Sequence, residues 1–104
     1  MHKCKIMHRD FKPDNVLIDK NKDLKIIDFG DSKEFDSDEI QEHYKLLDVA
    51  RDEMSSNYSS GTPEVGTIFF RSPEMITKSI SSPAMDLWAL GCTLYFMLTG
   101  SLPF

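Results

Sequence analysis

Short apolar runs separated by polar turns fill the first third of the chain. Val16-Leu17-Ile18 and Leu24-Lys25-Ile26-Ile27 read as strands, with polar Asp19-Lys20-Asn21-Lys22-Asp23 between them. That pattern predicts a hairpin with a five-residue loop. Asn15 stands at its start and Asp28 at its end, so residues thirteen apart in sequence are expected to become neighbours. Further on, Ile40, Tyr44, Leu47, Arg51 and Met54 recur at helical spacing behind an Asp36/Glu39 pair that resembles a capping box. This predicts an amphipathic helix over 37–54. The polar stretch "SSNYSSGTPE" follows it. Ser82-Pro83 suits a helix start and Gly100 a stop, which predicts a helix over 83–99. Its residues are apolar on nearly every face, so burial all round is expected. One strand pair and one amphipathic helix cannot surround it, and the chain reads as part of something larger. No internal repeat or second-domain tract interrupts the pattern.

Composition narrows the class. Apolar residues make up 40 % of the 104 and charged residues 28 %, as in soluble globular proteins. No apolar run approaches the roughly 20 residues that span a bilayer, and the N-terminus has no secretion-signal core, so an intracellular, cytoplasmic location is expected. Cys4 and Cys92 lie far apart without metal-ligand spacing, which suits two reduced thiols. The net charge is −5, yet residues 31–65 hold ten acids against three bases. One acidic segment therefore sets the sign, and no basic stripe suggests a nucleic-acid partner.

The candidate chemistry lies in "HRDFKPDN" at 8–15. Asp10 can accept a proton from an attacking hydroxyl. Lys12, two residues on, can neutralise a phosphate. Asn15 and Asp28 are hard oxygen ligands suited to Mg²⁺. Phosphoryl transfer needs metal, nucleotide and hydroxyl held in line with charge against the equatorial oxygens, and these residue types do that together. Acyl transfer fits poorly, because no nucleophile–base pair lies beside an anion hole.

"HRDFKPDN", "DFG" at 28–30, "SPE" at 72–74 and "DLWALGC" at 86–92, in this order and spacing, resemble the protein kinase superfamily. Phe11 stands where leucine is more usual and Ser72 where alanine is. The resemblance implies an α+β, kinase-like C-lobe fragment, mostly helical with a short β-hairpin and with the N-lobe absent. Residues 1–104 would form a partial kinase domain: catalytic loop 8–15, activation segment 28–74 with an acidic insertion at about 31–60, and a buried helix at about 83–99. It also implies ATP and Mg²⁺ as cofactors and a protein substrate. By the same resemblance Asp10 is the catalytic base and Lys12 the group on the transferring phosphate. Asp14 and Asn15 continue the catalytic loop, Asn15 on a metal, and Leu17 lies under the adenine. Asp28 is the main Mg²⁺ ligand. Thr67 ties the substrate-binding loop to Asp10, and Asp86 holds the backbone of the His8–Arg9 turn. His8 itself reads as structural.

Lys12-Pro13 resembles serine/threonine rather than tyrosine kinases. "TPEVGTIFFRSPE" resembles cyclin-dependent and MAP kinases, whereas Gly66-Thr67 and "DLWALGC…LTGSLPF" resemble phosphoinositide-dependent kinase. The subfamily stays open. Arg9 would receive a phosphate on Thr62, a regulatory site for an upstream activating kinase. Ser55, Ser56, Ser59 and Ser60 are rival sites. No glycine-rich loop, strand lysine or partner glutamate precedes residue 8, and Glu74 lacks the downstream arginine of the family. His2 and Ile6 fit the end of the helix before the catalytic loop. As this chain alone, no activity is expected. A non-catalytic kinase-like remnant, acting as an interaction module, is the alternative.

Overall fold

Each element of the computed structural model begins where the sequence offers a local reason for it. The structure describes residues 1–38, 41, 45, 67–78 and 81–104. His2–Cys4 form a 3-10 turn closed by Lys5, whose φ of 57° is left-handed and whose N–H reaches the His2 carbonyl. Strand β1 (Ile6–Met7) leads into the loop at 8–15. Lys12, before a proline, is extended (φ −158°), and Pro13 starts the 3-10 turn Pro13–Asn15. Strands β2 (Val16–Ile18) and β3 (Leu24–Ile26) pair antiparallel with Leu17 opposite Lys25, leaving the expected five-residue loop. Asp19 organises that loop: its Oδ1 accepts the N–H groups of Asn21 at 2.8 Å and Asp23 at 3.0 Å.

Strand β4 (Lys33–Glu34) pairs antiparallel with β1, Ile6 facing Glu34 and Met7 facing Lys33. Within the segment read from sequence as an acidic insertion at about 31–60, Lys33 and Glu34 extend this pairing, and Phe35 N–H closes on the Lys5 carbonyl at 2.9 Å. The helix expected at 2–6 is likewise a 3-10 turn followed by a strand. Residues 37, 38, 41 and 45 are helical, and the remainder of the 37–54 expectation lies outside the described residues.

The 3-10 turn Thr67–Phe70 runs into helix α1 (Pro73–Lys78), and helix α2 spans Pro83–Thr99. Ser82 and Gly100 flank α2 as expected. Met85 N–H bonds the Ser82 carbonyl, and Gly100, with φ 72°, donates to the Phe96 carbonyl at 2.8 Å. Burial of α2 differs from expectation. Only Met85, Asp86, Ala89, Cys92 and Thr93 are buried, while Leu87, Leu94 and Leu98 stay exposed. The two-stranded sheets and short turns are too small to cover more than one face of a 17-residue helix.

The buried set contains Met7, Phe11, Met85, Ala89 and Cys92, but also His8, Asn15, Ser72, Ser82, Asp86 and Thr93. Polar side chains equal apolar ones in weight here, so hydrogen bonding must shape this core as much as apolar packing does. Among the described residues, no helix is long and apolar enough to cross a membrane.

Candidate active site

A charge in an apolar helix is tolerable only with partners, and Asp86 on α2 has three. Its Oδ2 accepts the His8 backbone N–H at 2.8 Å and the His2 ring Nε2–H at 2.8 Å, and its Oδ1 accepts the Arg9 N–H at 2.9 Å. One carboxylate thereby fixes two successive peptide groups in front of Asp10. Arg9 sits at φ 66°, a left-handed conformation that side chains other than glycine rarely adopt. The two bonds from Asp86 hold that turn in place. Sequence reasoning assigned Asp86 this task but missed His2, which shares the carboxylate and packs edge-on against Phe35.

His8 is fully buried. Its Nε2 faces the Ile27 carbonyl at 2.9 Å, which can only accept, while Nδ1 takes the Asp10 N–H at 3.3 Å. That donor-and-acceptor pattern belongs to a neutral imidazole. The ring therefore staples the loop at 8–15 to the end of β3, the structural part expected of it. Phe11 and Phe29 pack edge-on against it.

Asp10 and Lys12 lie together, with Lys12 Nζ 3.5 Å from Asp10 Oδ2. Asp10 Oδ1 is buried without a hydrogen-bond partner. Asn15 is buried, and its Nδ2–H bonds the Asp10 carbonyl at 2.9 Å, leaving the amide oxygen as the acceptor end. Ile27 N–H donates to the Asn15 carbonyl at 2.9 Å, so Asp28 follows directly on that cross-hairpin bond. Asp28 is exposed and left-handed (φ 62°). Its Oδ1 faces the Gly30 N–H at 3.4 Å, and a Cβ at Gly30 would come within 3.2 Å of the same oxygen. The glycine keeps that side of the carboxylate open.

Asp14 is exposed at the head of the hairpin and Leu17 half-exposed on β2. Thr67 opens the turn Thr67–Phe70. Arg9 Nε donates to the Asp31 carbonyl, reaching the segment after Gly30. Thr62 and its serine rivals lie outside the described residues. The hairpin and α2 thus bring Arg9, Asp10, Lys12, Asn15 and Asp28 to one edge. An exposed carboxylate and an amide oxygen at neighbouring strand ends suit Mg²⁺, which takes one or two protein oxygens and completes its shell with phosphates and water. Among the described residues, no cluster of three or more His, Cys, Asp or Glu forms a self-sufficient metal cage.

Arg71 and Ser72 were not singled out for the site. Both line a crevice with Asp10, Phe70, Met75 and Asp86. The only sequence signal was Ser72 in place of the more usual alanine.

The chain is similar to known proteins along its whole length. The protein kinase domain family matches the chain over residues 1–104. The serine/threonine-protein kinase ppk21 of Schizosaccharomyces pombe is 36 % identical over 105 residues, covering all of this chain and 17 % of that protein. The 3-phosphoinositide-dependent protein kinase 1 of Arabidopsis thaliana is 38 % identical over 104 residues, again all of this chain and 19 % of the relative. The serine/threonine-protein kinase PKH1 of Saccharomyces cerevisiae is 35 % identical, with 13 % of its length covered. The chain therefore spans less than a fifth of the length of these relatives.

Proposed function

The chain belongs to the protein kinase family, and from that premise we propose that it carries the catalytic loop, the activation segment and the central helix of a serine/threonine kinase C-lobe. The reaction is ATP-dependent phosphoryl transfer to a protein hydroxyl. The observation that carries it is the junction of two scaffolds. The bond from Ile27 to Asn15 sets Asp28 beside the end of the catalytic loop, while Asp86 grips the backbone immediately before Asp10.

Asp10 is the general base, oriented by the Nδ1 contact of His8 to its N–H and by Asn15 on its carbonyl. Lys12, beside Asp10, places positive charge where the transferred phosphoryl group gains negative charge. The Asn15 amide oxygen and Asp28 would hold Mg²⁺, which would offset charge on the phosphate oxygens of ATP, and Leu17 would support the adenine. Thr67 orients the substrate loop. Arg9, which already reaches the Asp31 carbonyl, is the receiver for a phosphate on Thr62.

The test is Asp10→Asn in the intact protein. It removes the base and keeps the size. Turnover with ATP and a serine/threonine peptide should fall by about 100-fold or more, with nucleotide affinity unchanged. Undiminished phosphate transfer by Asp10→Asn overturns the assignment.

A further inference from the structure

Of the three donors to Asp86, two are backbone N–H groups of the turn it holds, and the third is the His2 ring. Nε2 of that ring must carry the hydrogen, because a carboxylate only accepts. It lies 2.8 Å from Oδ2, the same oxygen that takes the His8 N–H at 2.8 Å. His2 and Asp86 are 84 positions apart, so no local preference brings them together. Asp86 is buried whereas His2 is partly exposed, so the imidazole can be exchanged without emptying a core position.

Lys5 explains how that ring is seated. Its backbone is left-handed, with φ 57°, and its N–H and its carbonyl serve two different segments. The N–H reaches the His2 carbonyl at 2.9 Å, and the carbonyl accepts the Phe35 N–H at 2.9 Å. His2 and Phe35 are thereby hung on one residue. Their rings meet at 78° with centroids 6.2 Å apart, an edge-to-face contact that aromatic pairs favour. Phe35 follows directly on β4, whose Lys33 and Glu34 pair with Met7 and Ile6. The wall against which His2 rests therefore belongs to the segment after Gly30, and it is in place only while β4 is paired with β1.

We propose that His2 and Phe35 are positioning residues for Asp10: Phe35 seats the His2 ring, and His2 fixes the Asp86 carboxylate that holds the turn before the base. The inference rests on the reading of Asp10 as the base. The terminal torsion of an aspartate is broad, so each added donor narrows where its two oxygens stand. Those oxygens hold Arg9 in its left-handed conformation, and a displaced carboxylate moves the peptide that leads into Asp10. The segment after Gly30 thus acts on the base through Phe35, His2 and Asp86. Asn15 and Leu17, on the nucleotide side, are carried by the hairpin, so the effect falls on turnover and not on ATP affinity.

Backbone hydrogen exchange and steady-state kinetics, both on the intact protein, decide it. His2→Phe keeps a ring against Phe35 and removes the donor, whereas His2→Gln restores an N–H near the place of Nε2. In His2→Phe the His8 and Arg9 amides should exchange roughly threefold to tenfold faster, the scale of one hydrogen bond. The Ile27 amide, bonded to the Asn15 carbonyl in the hairpin, should be unchanged. The kcat should fall by a similar factor at unchanged KM for ATP. His2→Gln should recover most of both. Phe35→Ala should act in the same direction, and adding it to His2→Phe should cost little more, because both act through one contact. Unchanged exchange at His8 and Arg9 overturns the proposal, as does equal acceleration at Ile27, which marks a general loss of stability. Additive losses from the pair overturn the part given to Phe35, and losses confined to KM overturn the positioning role. Should Asp10→Asn stay active while exchange still responds to His2→Phe, the base assignment fails and the hold of His2 on Asp86 stands.

Discussion

Asp86 and Cys92 lie less than two turns apart on the buried face of α2, and burial acts on them in opposite ways. The Asp86 carboxylate is matched by three donors, so its removal strands the backbone N–H groups of His8 and Arg9. Asp86→Ala should therefore destabilise the fold by about 3 kcal/mol or more, read as a lowered urea midpoint. Asp86→Asn should be only partly protective, because its NH₂ must face a donor. Cys92 has no such match, and burial pushes its thiol above the ordinary value, outweighing an opposing backbone hydrogen bond. Its neutral form is favoured in the folded state. That contribution is complete at neutral pH and is lost as pH rises past about 9 and through the raised value. Thermal melts at about pH 7 and about pH 10 should show the alkaline loss, and Cys92→Ala should reduce it. A thiol reagent at neutral pH should modify exposed Cys4 quickly and Cys92 only after unfolding.

At the scale of elements, α2 carries a paired test of glycine. Gly100 adopts φ 72°, whereas Gly91 lies inside the helix, and no heavy atom lies within 4 Å of a Cβ built at either among the described residues. Gly100→Ala should cost about 1 kcal/mol through backbone strain alone. Gly91→Ala should stabilise by about 0.5–1 kcal/mol through helix propensity. Equal effects in chemical denaturation would show that packing, not backbone, governs this helix. The ends of α2 were legible because Ser82, Pro83 and Gly100 act locally, and the hairpin because its apolar runs flank a polar loop. The β1–β4 pair was not legible. Two residues per strand carry no alternation, and their pairing depends on contacts across some 27 positions. In the site, Asp10, Asn15 and Asp28 stood out through motif spacing. His2 did not, since its contact with Asp86 arises only when α2 meets the start of the chain.

Taken whole, the molecule keeps large apolar surface in water. Ile18 and Leu24 are exposed at 70 % and 68 % on the hairpin, and Leu98 at 85 % on α2. Trp88 stacks on the more exposed Phe104 with ring centroids 5.5 Å apart. Patches of this kind drive association. At micromolar concentration the 104-residue chain should scatter light as oligomers and bind a hydrophobic dye. Leu94→Lys together with Leu98→Lys should lower both signals without disturbing Asp86, which is buried whereas both leucines are exposed. A monodisperse wild-type monomer that binds no dye would refute this.

The grip of Asp86 on His8 and Arg9 also dictates an order of events in time. The hairpin closes over five residues, whereas the Asp86 bonds join positions 78 and 77 apart in sequence. Closing the longer loop costs about 2 kcal/mol more chain entropy, and it rewards nothing until α2 is wound and seated. The hairpin should form on a microsecond timescale and the His8–Arg9 turn far later. In pulse-labelled hydrogen exchange during refolding, the Asp19 and Ile27 amides should gain protection first, with those of His8 and Arg9 among the last. The bend ahead of Asp10 is then a completion signal: no half-folded intermediate of this chain can hold Asp10 in its folded geometry, because the anchor that shapes the bend arrives with α2.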